Sequence, residues 1–301
     1  VNNVYTLLIN FLDQNNRVDY HKVKLLLANN LKLGQKNFYI KDSNLDYSQL
    51  SCSDKKEYYK KMVKLMPEES DFKIELNFNS LRDIQEIIKD LNKTEKKFDL
   101  VLKSPSITEE TMGSYFKDYL SYLNFLSSNS SRNFYISFNT RLLSLIEGET
   151  LIKKTKDFQA VKGFVTNPVY PYDLDFEKFT TLKNKYNGRF EFLASADDLY
   201  FLNLNKGVKT ISRYINLLPD YFKKINIEVK NNNLDNARKY QLILNDFINT
   251  NNNFGEGLAL EYLLSRYLNF EFSSENSLTK SEKLILESEF KKINDSFVDK
   301  V

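Results

Sequence analysis

The stretch Phe72-Lys-Ile-Glu-Leu-Asn-Phe78, followed by Leu81, Ile84, Ile88 and Leu91, sets the reading of this chain. A short β-rich run passes directly into apolar residues three and four apart, the spacing of one helix face. The same sequence of events recurs on both sides. β-rich runs are read at Val4–Phe11, Asn37–Ile40, Phe72–Phe78, Phe98–Lys103, Asn133–Phe138, Ala160–Val165, Arg189–Ala194 and Val208–Arg213. Nearly every one precedes a helical stretch. Val23, Leu27 and Leu31 share a face of the first helix with Leu26 beside them, and Met112, Phe116, Tyr119 and Leu123 repeat the pattern after the fourth run. Strict β-α alternation implies a parallel sheet, because parallel neighbours need a crossover. Eight repeats favour closure into a (β/α)₈ barrel, and no Gly-x-Gly-x-x-Gly follows any run to suggest an open nucleotide-binding sheet.

Local signals mark the helix ends. Ser51-Cys-Ser-Asp54, Ser106-Ile-Thr-Glu109 and Thr279-Lys-Ser-Glu282 place a hydroxyl and an acid at capping-box spacing. Gly34 and Gly188 stand just past helices, where a positive φ is expected. Beyond the eighth run the chain continues as helices at Pro219–Lys230, Leu234–Thr250, Gly257–Leu268 and Thr279–Val298. The expected organisation is a barrel over residues 1–230 and a C-terminal helical extension over 231–301, packed on it as one structural unit.

The 301 residues are 42% apolar, with 19 Tyr and 23 Phe, enough for a large core. Lys and Arg number 43 against 40 Asp and Glu, and the net charge of +3 is spread along the chain. That balance gives no case for nucleic acid or an anionic membrane. No run approaches the roughly 20 apolar residues that span a bilayer, and Val1-Asn-Asn-Val4 lacks a basic segment followed by an apolar one. A soluble, cytoplasmic protein is the expectation. Cys52 is the single cysteine, so an internal disulfide and a Cys-based metal site are excluded, and His21 is the single histidine. His21 opens the first helix and is read as lying on the barrel face opposite the rim. Cys52 occupies a helix N-terminus, a position that lowers a thiol pKa, although its capping sequence favours a structural role. Tyr115, Phe116, Tyr119 and Tyr122 are read as packing against the barrel or a subunit. No cofactor and no metal are expected.

Several segments, in order, resemble the dihydrodipicolinate synthase and N-acetylneuraminate lyase superfamily, and among its members the archaeal 2-keto-3-deoxygluconate aldolases. Leu7 to Asp19 is similar to the family's opening strand, turn and helix-starting Asp. Phe38-Tyr-Ile-Lys-Asp-Ser-Asn-Leu45, with Leu50-Ser51, resembles the second strand and its carboxylate-binding loop. Lys162-Gly-Phe-Val165 resembles the sixth strand, Phe192-Leu-Ala-Ser-Ala-Asp197 the seventh, and Gly207 to Pro219 the eighth. Leu234-Asp-Asn-Ala-Arg-Lys-Tyr-Gln241 is close to the family's Asp-x-x-x-Ala-x-x-x-Gln helix. The resemblance implies a barrel that forms a Schiff base between a strand-six lysine and an α-keto acid, in a homo-oligomer, a dimer or tetramer.

On that register the lysine position is Val165, which carries no nucleophile. Lys162, three residues earlier, falls on the opposite strand face, and Phe164 and Thr166 offer no substitute. The proton-shuttling tyrosine position falls on Ser137, with Tyr135 two residues deeper as a possible replacement. The Gly-Thr-Thr-Gly loop becomes Asp42-Ser-Asn-Leu45. Ser43 and Asn44 retain hydrogen-bond donors, but Asp42 opposes an anionic ligand. The segment Lys103-Ser-Pro-Ser-Ile-Thr-Glu109 is short where relatives carry a Tyr-bearing loop. Lys103 is the candidate for a relocated amine, and Arg141 and Arg213 are candidates to hold an anion such as a keto acid at the rim. Asp197 and Asp198 are read as helix-capping residues in preference to metal ligands. The expected function is therefore a catalytically degenerate lyase or aldolase homologue with a binding, regulatory or scaffold role. The alternative is an active enzyme using Lys103 or metal-assisted chemistry.

Overall fold

The computed structural model describes residues 3–15, 17–41, 51–76, 81–103, 112–137, 145–166, 173–186, 188–272 and 277–296. Eight strands occur in chain order: β1 (Val4–Leu7), β2 (Asn37–Ile40), β3 (Asp71–Leu76), β4 (Asp99–Lys103), β5 (Phe134–Ser137), β6 (Val161–Thr166), β7 (Glu191–Ser195) and β8 (Lys209–Ser212). They close into a barrel in that order. The ladders from β2 through β8 are all parallel, as the crossovers require. The helices between strands are α1 (Tyr20–Lys32), α2 (Cys52–Leu65), α3 (Leu81–Leu91), α4 (Met112–Asn129), α5 (Leu145–Thr155), α6 (Asp173–Lys185) and α7 (Tyr200–Lys206). After β8 come α8 (Pro219–Lys230), α9 (Leu234–Asn252), α10 (Glu256–Leu268) and α11 (Lys280–Asp295). This is the (β/α)₈ barrel with C-terminal helices that the alternation implied.

The local signals act as expected where they are described. Ser51 and Thr279 each form a full capping box, with Asp54 and Glu282. Gly34 and Gly188 adopt φ of 78° and 87°, which a side chain would oppose. Pro219 takes the first turn of α8, where its missing N–H costs nothing. The Ser106–Glu109 box lies outside the described residues. One helix face needs correction: Val23, Leu26, Leu27 and Asn30 form the buried stripe of α1, and Leu31 is 39% exposed. Seven residues return a helix to within about 20° of its starting direction, whereas eight overshoot by about 80°.

Contacts divide the chain into two compact units, one comprising residues 1–36, 197–207 and 212–301, the other 37–196 and 208–211. The first contains β1, α1 and all the helices after β8. In it, buried Asn30 donates to Asn216 (2.7 Å), which donates to the Leu7 carbonyl (2.8 Å) and thereby ties helix, turn and strand. The second contains β2 to β7, the first three residues of β8, and α2 to α6. Along β3 to β7, Phe72, Ile74, Leu76, Leu100, Leu102, Phe134, Ile136, Phe164 and Phe192 are all buried on one strand face. The alternate positions carry a different chemistry.

Candidate functional site

Those alternate positions line the bore. Lys73 of β3 lies 3.9 Å from Glu191 of β7, and strands four apart in a closed barrel meet only through its interior. Lys73 Nζ is 2.9 Å from Asp99 and 3.7 Å from Asp71, and it stands 4.2 Å from the centre of the Tyr135 ring. Tyr135 donates its hydroxyl to Glu191 (2.8 Å), and Lys209 pairs with the same carboxylate. Burial, and then the charges of Glu191 and Asp99, push the Tyr135 phenol well above the usual tyrosine range. Asp71, Asp99, Glu191 and Lys209 are the first residues of their strands. The network therefore plugs the N-terminal end of the bore, the end where barrels invest in stability rather than chemistry.

Gly163 belongs to this plug. A Cβ there would stand 2.2 Å from the Glu191 carbonyl oxygen and 2.7 Å from the Tyr135 ring. The glycine makes room for the tyrosine that reaches Glu191.

At the C-terminal ends of the strands, Lys103, Ser137, Val165 and Leu193 are successive ladder partners. Val165 is fully buried and Ser137 nearly so, while Lys162 is exposed on the other parity of β6. An aliphatic group and a hydroxyl thus stand side by side on β6 and β5. Tyr135 lies two residues below Ser137, and its hydroxyl is engaged in the plug. For Lys103 the description extends to the backbone. Ser43, Asn44 and Arg141 lie outside the described residues, as does Asp42.

A second polar group occupies the same end of β2 and β3. Glu75 is buried and accepts from the Tyr39 hydroxyl (2.6 Å), and Lys41 Nζ is 3.6 Å from its other oxygen. Neither the plug nor this pair was singled out from sequence. The available signal was the parity of Lys73 and Glu75 between Phe72, Ile74 and Leu76, which puts both charges on one strand face.

In the other unit, Asp197 accepts from Ser212 Oγ in a short bond and from the backbone N–H groups of Arg213 and Tyr214 (3.4 Å each). It caps the turn after β8, not the helix that follows it in sequence. Burial lifts its carboxyl to about 6 against the opposing hydrogen bonds and the Arg213 charge. Gln241 of α9 donates to the Asp197 carbonyl (3.1 Å) and accepts from the Phe201 N–H (2.7 Å), while Asn245 donates to the Asp198 carbonyl (3.2 Å). Arg213 is half-buried directly after β8. Among the described residues no group of three or more His, Cys, Asp or Glu is placed to hold a metal ion.

One sequence reading is corrected. His21 is exposed, and because α1 leaves the C-terminal end of β1, it stands on the rim side rather than the opposite one. The Cys52 thiol is pushed up, first by burial and then by Asp83, in keeping with the structural role that its capping sequence favoured. Tyr122 of the α4 aromatic stripe is buried, consistent with packing.

No protein-family model matches the chain, and no curated protein matches it by sequence. Solved structures do share its fold. Sialic acid aldolase from Ruminococcus gnavus superposes with a TM-score of 0.82 at 15% identity, covering 99% of this chain and 98% of that one. A variant of 2-keto-3-deoxygluconate aldolase from Sulfolobus solfataricus gives 0.78 at 16% identity, covering 99% and 98%. N-acetylneuraminate lyase from Fusobacterium nucleatum gives 0.78 at 15% identity, covering 96% and 98%. The likeness runs through the C-terminal helices, and at this identity it establishes the fold.

Proposed function

We propose that this chain is a divergent relative of those lyases and aldolases that has lost Schiff-base chemistry and uses its barrel to bind a small anion, in a regulatory or scaffold role. The observation that carries the reading is the ladder pair Val165 and Ser137, set where the resemblance calls for an amine and a phenol. Imine formation needs an amine whose lone pair attacks a ketone, and valine has none. Tyr135, Lys73 and Lys209 do not replace the missing groups, because they are bound to Glu191 and Asp99 at the far end of the bore. Reduction with borohydride in the presence of pyruvate or 2-keto-3-deoxygluconate is expected to leave the intact mass unchanged. A mass gain mapped to any lysine contradicts the reading.

A second reading, an active keto-acid lyase with a relocated amine or metal-assisted chemistry, is favoured by one feature. Lys103 is the ladder partner of Ser137, so its backbone stands two strands from Val165. On this reading the trapped adduct maps to Lys103, or divalent metals raise the melting temperature together with a keto acid. Both are absent on the first reading.

Association of identical subunits belongs to the same proposal, supported by the exposed Ile227, Leu242 and Leu284 on the C-terminal helices. Sedimentation at a multiple of 35.5 kDa is the expected result, and a monomer at micromolar concentration contradicts it. No helix among the described residues is long and apolar enough to cross a membrane, which is compatible with the cytoplasmic setting we propose.

A further inference from the structure

We propose that Asp197 is a proton-sensitive latch on the turn that follows β8, holding it closed when the carboxyl is protonated and loosening it when the carboxyl is ionised. The latch needs no ligand and so holds whatever the barrel binds.

One carboxyl organises four consecutive residues. Asp197, two residues beyond β7, accepts from the Ser212 hydroxyl and from the Arg213 and Tyr214 N–H groups. The same Ser212 oxygen accepts from the Ile215 N–H (3.0 Å). The last residue of β8 and the 3₁₀ turn Tyr214–Asn216 are thus gathered on a single side chain. The backbone of Asp197 reaches further. Its carbonyl accepts from Gln241 of α9, whose side-chain oxygen takes the Phe201 N–H of α7. All of these residues belong to one compact unit. A change at the carboxyl therefore acts on the β8 turn directly, and on α7 and α9 through the backbone of the same residue.

Charge decides the sign. The two backbone bonds are 3.4 Å long, near the limit at which an N–H still donates, so they compensate an ionised carboxylate weakly. β8 offers a neutral hydroxyl, Ser212, and α9 offers the neutral amides of Gln241 and Asn245, which go to the carbonyls of Asp197 and Asp198. Arg213 brings a positive charge that favours the ionised form, and burial outweighs it, lifting the carboxyl from 3.8 to about 6. In an opened turn the group is hydrated and its ordinary value returns. Protonation thus favours the closed turn fully below about pH 4, and that advantage is lost as the pH rises through about 6. Because each pKa unit is a factor of ten, the opening equilibrium changes by at most on the order of 100-fold. The turn begins with Arg213 at the C-terminal end of β8, so the latch sets how firmly that part of the rim is held.

Hydrogen exchange of the full chain, read at single amides by NMR and corrected for the intrinsic pH dependence of exchange, tests this. Protection of the Arg213 and Tyr214 amides is expected to fall roughly 50-fold from about pH 4 to about pH 7.5. At each pH both amides are expected to exchange faster than those of Leu100 and Phe134 in the ladders of the other unit, the mark of a local opening. Asp197→Asn keeps the shape and does not ionise, so its Arg213 and Tyr214 profiles are expected to be flat. Ser212→Ala removes a donor to the ionised form and is expected to move the midpoint of the fall to higher pH. The latch is overturned if protection at Arg213 and Tyr214 is level or rises with pH, as stronger bonds to a carboxylate would make it. It is equally overturned if these amides exchange only as slowly as Leu100 and Phe134, if Asp197→Asn keeps the slope, or if Ser212→Ala leaves the midpoint in place.

Discussion

Gly163 shows how much a single position settles. In the sequence it marks the sixth strand. In the structure it is the gap into which the Tyr135 ring fits on its way to Glu191. Gly163→Ala forces a methyl against the Glu191 backbone, which cannot yield as a flexible side chain would. Overpacking of this kind costs about 1–3 kcal/mol. Urea denaturation is expected to show a loss in that range, and a loss below about 0.5 kcal/mol refutes the packing argument. Asp197 makes a prediction in pH. Its folded pKa of about 6 lies above its ordinary value of 3.8, so between those values the folded chain holds a proton that the unfolded chain has released. Its contribution to stability is thus complete below about pH 4 and is lost as the pH rises through about 6. Relative to Asp197→Asn, the wild-type protein should lose on the order of 2 kcal/mol across that window. Parallel melting curves for the two proteins from pH 4 to 7 contradict this.

At the scale of elements, the alternation of runs and helices was fully legible. β2 and α8 begin and end at the residues expected, and the other strands differ by one or a few residues at their ends. Leu31 was misplaced because a heptad step and an eight-residue step look alike in a short apolar pattern. The interior charges were missed for a different reason. When helices cover one face of a strand and a bore lies behind the other, both faces are buried, and sequence parity alone does not say which is which. Lys73 and Glu75 look like solvent-facing positions until the sheet closes. The segment Leu234 to Gln241 was noticed only through resemblance, and its physical reason is now visible in Gln241, which joins the Phe201 N–H to the Asp197 carbonyl. Gln241→Leu leaves both groups without that partner and is expected to cost about 2–4 kcal/mol in denaturant unfolding. A change within about 0.5 kcal/mol shows that α9 is held by its apolar face alone.

At the scale of the molecule, the two ends of the bore divide the labour. The N-terminal end is filled by ion pairs between Lys73, Lys209, Asp99 and Glu191, and removing one partner of such a set strands the others without compensation. At the C-terminal end, the β5 and β6 positions that the family resemblance assigns to chemistry hold Ser137 and Val165, and Lys41 pairs with the buried Glu75. The central claim is that the barrel persists while its amine is gone, and borohydride trapping with pyruvate on the wild-type chain and on Val165→Lys tests it most directly. The account expects no adduct on the wild-type chain and a new one at position 165 in the variant. A wild-type adduct on any lysine contradicts it.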